Sequence, residues 1–260
     1  MRIGIIRNCS DPASYDFVRD KGMSFMEICC NNTEEANNFI EKSVFIKDNL
    51  ARTGISLSSV GRWNHTLNKG GTADSAEKEV YFRQLDTAVS LGAKTFVCGF
   101  NRDDSVSLYK NLTGAINFFA ELIDRANGRI KVAVQNCNWN NFIVSPDEWK
   151  IVLGELPDLY LKYDPSHAYS RGANYLAELS DWGDRIAHFH VKGIIRAGQR
   201  GIDDPPAGMD DINWPGVFAI LYSRHYDGDL SIEPHSAFWH GAMSEKGIDF
   251  TYSYIKRFVL

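Results

Sequence analysis

"IGIIRNCSD", Ile3–Asp11, starts with the β-branched residues Ile3, Ile5 and Ile6 and then turns polar at Arg7, the pattern of a buried strand running into a rim loop. The residues after such a first strand separate two α/β architectures. An open doubly wound sheet usually places G-x-G-x-x-G there, so that backbone can approach a pyrophosphate. No glycine occurs after Gly4 before Gly22, so the open sheet loses its main signature. Seven more short apolar runs lie downstream: "FMEICC" from Phe25, "ISLSSVG" from Ile55, "KTFVCGF" from Lys94, "KVAVQN" from Lys131, "LYLKYDPSH" from Leu159, "IAHFHVKG" from Ile186 and "LSIEPH" from Leu230. Segments of helical periodicity separate them, such as Leu108, Leu112, Ala115, Phe119, Leu122 and Ala126, or Ile248, Tyr252, Ile255 and Val259. Glycines at Gly22 and Gly92 stand where helix C-caps belong. Eight strands alternating with helices in 260 residues predict an α/β fold closed as a (β/α)8 TIM barrel, one domain over residues 1–260.

The composition sets the class. With 44% hydrophobic and 23% charged residues the chain reads as globular. The net charge of −5, with acids and bases interspersed, supplies no basic stripe for nucleic acid or for an anionic membrane. Five cysteines without a C-x-x-C pair read as reduced thiols, and with no run long enough for a signal sequence or a membrane span they predict a cytoplasmic protein.

Chemistry in such a barrel sits at the C-terminal ends of the strands. Gln135 ends the fifth candidate strand, Asp164 the sixth with His167 three residues on, His188 and His190 lie on the seventh, and Glu233 ends the eighth. Side chains alternate along a strand, so His188, His190 and Lys192 share a face. An imidazole, two carboxylates and an amide oxygen from four successive strands suit a divalent cation such as Mn²⁺, Co²⁺, Mg²⁺ or Zn²⁺. Gln135, Asp164, His190 and Glu233 are therefore the predicted metal ligands. Lys162 shares parity with Asp164, and a buried lysine calls for a carboxylate partner, here expected to be Glu27 or Glu233.

Over nearly its whole length the chain resembles the xylose isomerase-like TIM barrels, which include sugar and sugar-phosphate isomerases and epimerases and inosose dehydratase. The resemblance is carried by "DKGMSFMEICC", "AVSLGAKTFVCG", "LYLKYDPSHAY", "HFHVKG" and "DDINWPGVFAILYSRHYDGDLSIEPH". It implies Asp164, His190 and Glu233 as metal ligands, His167 against a substrate hydroxyl, Arg196 aimed at the substrate, and Glu27 as a carboxylate orienting a metal-bound histidine. "HVKG" departs from the family's usual H-x-K-D. The larger departure is Gln135, where epimerases of this family carry a glutamate that both binds metal and exchanges a proton. An amide can ligate through oxygen but has no useful basicity.

The resulting expectation is a metal-dependent sugar isomerase/epimerase-like enzyme that abstracts a proton next to a carbonyl of a small polyhydroxylated substrate. Glu233 is the base, with Lys192 or His188 near the developing oxyanion. Two alternatives stay open: a dehydratase or lyase acting on a keto sugar, and a non-catalytic sugar- or metal-binding barrel. Further rim candidates are His65, Trp139 and Asn141. For the asparagines of "QNCNWNN", recognition of hydroxyls competes with turn formation. The long loop Ile194–Asn213 is expected over the site as a lid, with Asp211 capping the next helix. Homo-oligomers are usual in families of this kind.

Overall fold

The computed structural model describes all 260 residues. Eight parallel strands close into a barrel: Arg2–Ile6, Phe25–Cys30, Ser56–Arg62, Thr95–Cys98, Lys131–Gln135, Leu159–Tyr163, Ile186–Val191 and Asp229–Ile232. We number these barrel strands one to eight. Each overlaps one of the eight apolar runs, and strand one pairs with strand eight to complete the ring, Gly4 beside Ser231 and Ile5 beside Ile232.

Register decides which side chains meet inside. Gln135 pairs with Lys162, and Lys162 with His188, so these three stand side by side on strands five, six and seven. His190 pairs with Ser231 on strand eight. The ring of helices covers the outer face, and the sheet's outward side chains, including Tyr163, Phe189 and Leu161, are fully buried beneath it with Trp149 and Trp214.

Helix Leu108–Ala126 buries Leu112, Ala115, Phe119, Leu122 and Ala126 as the stripe requires, but Leu108 at its first position is 48% exposed. Helix Ala242–Lys256 ends before Val259, so that stripe outruns the helix. Between strand three and its helix lies a small hairpin, Asn68–Lys69 with Thr72–Ala73, turning on Gly70 and Gly71 at φ of 66° and 90°. Two successive positive φ values are the Gly-Gly hairpin turn, a signal present in "NKGGT" but absent from the predicted elements.

The loop after strand seven is ordered as a hairpin, Ile195–Ala197 against Arg200–Asp203. Asp211 does not cap the helix after it. Asn213 does, accepting from Gly216 N, while Asp211 Oδ2 accepts from Arg196 N at 2.9 Å and from Tyr169 Oη at 3.2 Å. Gly193 of "HVKG" passes so close to Pro205 O that any Cβ would collide with it, which accounts for glycine in place of aspartate.

Candidate active site

Six polar groups gather at the C-terminal mouth. Glu27 on strand two reaches across to strand seven, where its Oε2 lies 2.8 Å from His188 Nε2 and 3.0 Å from His190 Nε2. The other ring nitrogen of His190, Nδ1, is 3.0 Å from Glu233 Oε2. Asp164 Oδ1 accepts from Ser166 N, capping the short helix that starts at Pro165. The ligating atoms of Asp164, His190 and Glu233 lie within 4.8 Å of one another, as do those of Glu27, His188 and His190. Either triad could hold a cation.

Two oxygens decide where a cation would sit. Gln135 Oε1 and Asp164 Oδ2 are buried and have no hydrogen-bond partner. Buried acceptors are rarely left unmade, because each forfeits its desolvation cost. Asp164, His190 and Glu233 cluster, and Gln135 ends the neighbouring strand five; with the amide oxygen added they would make an oxygen-rich donor set of the kind hard and borderline divalent ions accept. The residues therefore fit such an ion, with one amide where a third carboxylate would bind more tightly.

Two lysines share this space. Lys192 Nζ stands 3.5 Å from Asp164 Oδ2, 3.7 Å from Glu233 Oε2 and 3.1 Å from His167 Nε2. Lys162 Nζ has no hydrogen bond: it lies 4.0 Å from Asp164 Oδ2 and 4.7 Å from the centre of the Trp63 ring. Its nearest acid is thus Asp164, not Glu27 or Glu233, because strand pairing sets it beside Gln135 and His188 rather than under strand eight. Trp63 is buried against both Lys162 and His190, its ring 5.4 Å from the imidazole.

These contacts set the charges. Burial opposes ionisation of Glu27, but the His190 and His188 imidazoles hold its carboxyl well below the usual range. Burial likewise opposes ionisation of Asp164 and Glu233, and the neighbouring groups together outweigh it, Lys192 foremost, with His167 and Lys162 at Asp164 and His190 and Lys162 at Glu233. Lys192 is held above the ordinary lysine range: desolvation works against its charge, and Asp164 and Glu233 overcome it. Burial and the Lys192 ammonium push His167 down to about 3. His167 is consequently a neutral imidazole whose Nε2 accepts from Lys192.

The remaining sequence-predicted residues are dispersed. Arg196 lies in the hairpin with its guanidinium donating to Tyr169 O at 2.6 Å and to Gln199 O at 3.0 Å. His65 Nε2 sits 2.8 Å from Glu77, beside the buried Arg62, whose Nη2 is also 2.8 Å from Glu77. Asn141 is buried and spends its amide on backbone, donating to Gln135 O and Cys137 O and accepting from Phe100 N. Asn136 clasps strand six, donating to Asp164 O at 2.9 Å and accepting from Asp164 N at 3.0 Å. Asn140 occupies a left-handed turn, φ 45°. Trp139, 46% exposed, faces open space, as do Asn138 and Asn140. It borders a cavity of about 440 Å³ that also touches Trp63, Glu233, His235 and Arg7. Arg7 is absent from the sequence-predicted residues, although it is the first polar residue after strand one, a position that reaches the rim by the same rule as Gln135.

A family model for the xylose isomerase-like TIM barrel matches residues 15–254. Among solved structures, the chain is similar to D-psicose 3-epimerase from Clostridium cellulolyticum H10, with TM-score 0.80, 13% identity and 99% of each chain covered. It is also similar to 3-keto-D-glucoside 4-epimerase from E. coli (TM-score 0.77, 14% identity, 99% of each chain). A third similar structure is a probable 3-DHS dehydratase from Bacillus anthracis (TM-score 0.75, 14% identity, 98% of this chain and 99% of that one). At such identities the likeness is one of fold. None of the curated proteins matches the sequence. No helix is long and apolar enough to cross a membrane.

Proposed function

The chain belongs to the xylose isomerase-like TIM barrel family, and from that premise we propose that it is a sugar isomerase/epimerase-like enzyme acting by proton abstraction next to a carbonyl, with a divalent metal held by Gln135, Asp164, His190 and Glu233. The observation that carries this reading is the clustering of Asp164, His190 and Glu233, with Asp164 Oδ2 buried and unbonded; Gln135, whose Oε1 is likewise unbonded, ends the neighbouring strand five. When bound, the metal supplies Lewis-acid polarisation of a carbonyl oxygen.

Glu233 is the base. It is ionised at neutral pH, as a base must be, but Lys192 and His190 depress its proton affinity. Lys192, 3.7 Å away, gains a second role from that: an ammonium that turns from Glu233 towards a developing oxyanion stabilises the oxyanion and makes the carboxylate more basic at the same moment. Glu27 orients both strand-seven imidazoles from behind. His167, neutral and partly exposed, offers its ring to a substrate hydroxyl.

Gln135 restricts the chemistry. Inverting one carbon requires a proton to leave from one face and return on the other, which takes two competent groups, whereas moving a carbonyl between adjacent carbons takes one base. The amide on strand five favours the one-base course, and the same feature favours a second reading, loss of water β to the carbonyl, with Lys192 as the acid. Incubating the Mn²⁺-supplemented protein with a panel of ketoses and 3-keto sugars in D₂O tests both. Deuterium at carbon bearing a hydroxyl next to the carbonyl supports isomerisation, and an absorbing enone product supports elimination. Neither, across the panel, would count against turnover and leave the sugar-binding barrel.

A further inference from the structure

Arg7 stands apart from the other cations around the mouth. Its Nε is buried and bonded to nothing, its guanidinium lies 3.8 Å above the centre of the Phe17 ring, and it forms no ion pair. Glu245 acts on it only through space, and the neighbouring Glu35 is taken up by Asn31 N and Asn32. Two cavities, of about 440 and 360 Å³, meet at Arg7, Asn31 and Cys29, and the larger extends to Glu233 and is of the size that small-molecule sites have. Trp63 also lines the larger cavity, although its Nε1 is buried against Gly61. A half-buried guanidinium without an acceptor at the meeting point of two cavities calls for an anionic oxygen ligand, since buried donors rarely go unpaired.

We infer that Arg7 recognises a carboxylate carried by the substrate, so that the site takes polyhydroxylated keto acids in preference to neutral sugars. The inference rests on the assignment of the Glu233 rim as the sugar-converting site. A carboxylate suits the place better than a phosphate. One guanidinium matches one charge bidentately, and the nearby helix start, which would otherwise receive a phosphate, is closed by Asp11 accepting from Ala13 N. Arg7 at the end of strand one and Glu233 after strand eight border one cavity because strands one and eight are neighbours in the closed barrel.

The test compares D-fructose, D-fructuronate and fructose 6-phosphate, which differ at C6 alone, by calorimetric binding to the wild-type protein. Fructuronate is expected to bind roughly tenfold or more tighter than fructose. Arg7→Gln brings that ratio close to one, and Arg7→Lys, which keeps the charge without the fork, retains part of it; circular dichroism confirms that both variants fold. A wild-type ratio near one, absence of binding by both sugars, or a ratio that survives in Arg7→Gln overturns the inference. Fructose 6-phosphate binding more tightly than fructuronate overturns the carboxylate. Arg7-dependent preference without C–H exchange in D₂O leaves this inference standing and removes only the proposed turnover.

Discussion

Asp229 and Asp164 are both buried aspartates of the barrel, 3% and 0% exposed, at opposite ends of it. At the N-terminal end Asp229 is fully engaged: Arg2 donates to both its oxygens at 2.8 and 2.6 Å, Ser58 Oγ donates at 2.6 Å, and Lys94 lies 3.7 Å off. At the C-terminal end Asp164 Oδ2 has cations at 3.5 and 4.0 Å and no hydrogen bond. Gln135 Oε1, Lys162 Nζ, Trp63 Nε1 and His188 Nδ1 are equally unmade. One end uses its buried charge to close the barrel. The other holds polar atoms in readiness, at a cost in stability that a ligand can recover.

Exchanging charge for amide at each end should separate these two uses. The largest effect is expected at Glu233→Gln. Loss of the proposed base should lower substrate C–H exchange by about 10²–10⁴-fold, while the urea midpoint stays near wild type, because Lys192 and His190 keep Asp164 and Glu27 as partners. Exchange at the wild-type rate would remove Glu233 from the role.

Asp229→Asn should do the reverse, leaving exchange intact and lowering stability by about 2–3 kcal/mol. That is less than a fully buried pair loses, because the Arg2 side chain is one-third exposed and solvent replaces part of the interaction. Burial raises the pKa of Asp229, and Arg2 and Ser58 outweigh that and lower it. A carboxylate depressed in the folded state adds stability above its unfolded value, near 4, and that stability is lost as pH falls through the folded value. Wild type should therefore lose stability below about pH 4 more steeply than Asp229→Asn, measured as the urea midpoint against pH. Parallel curves would show that the bottom cluster does not act through this charge.

The same contrast explains what could be read from the sequence. All eight strands were visible, since each is a short apolar run and burial on both faces leaves little else to confuse it with. Of the strand-end residues, Asp164, His190 and Glu233 come together because parity and chain order determine which side chains face the mouth. Strand parity places Lys162 inward but not its partner, which is Asp164 rather than Glu27 or Glu233, since register across strands is not written in either strand. Arg196 is implied by the family resemblance and Asn141 by its residue type, and the structure shows both spent on backbone carbonyls, partners that no local pattern specifies. Arg7 went unread for the opposite reason: its significance lies in partners it lacks, and a missing partner appears only once every neighbour is known.

The smallest effect, and the one that bears most directly on the upper end, concerns Lys162. Two unit charges 4 Å apart at an effective dielectric near 20 interact by roughly 4 kcal/mol, and Lys162 Nζ is 4.0 Å from Asp164 Oδ2. A cation at the Gln135, Asp164, His190 and Glu233 set must share Asp164 with that ammonium. Recovering even a third of the interaction in Lys162→Met strengthens binding about tenfold. Met is close in length and leaves the Trp63 face covered, so the change is mainly one of charge. Gln135→Glu acts on the same balance from the other side, adding the carboxylate the set lacks, and should also tighten binding by about tenfold or more. Calorimetric titration with Mn²⁺ reads both without reference to turnover. Tightening in each and a larger gain in the double variant mean that lysine and metal compete for Asp164. Unchanged affinity in Lys162→Met, with tightening in Gln135→Glu alone, would mean that Lys162 serves the lower layer of the barrel and that the amide by itself sets the metal affinity.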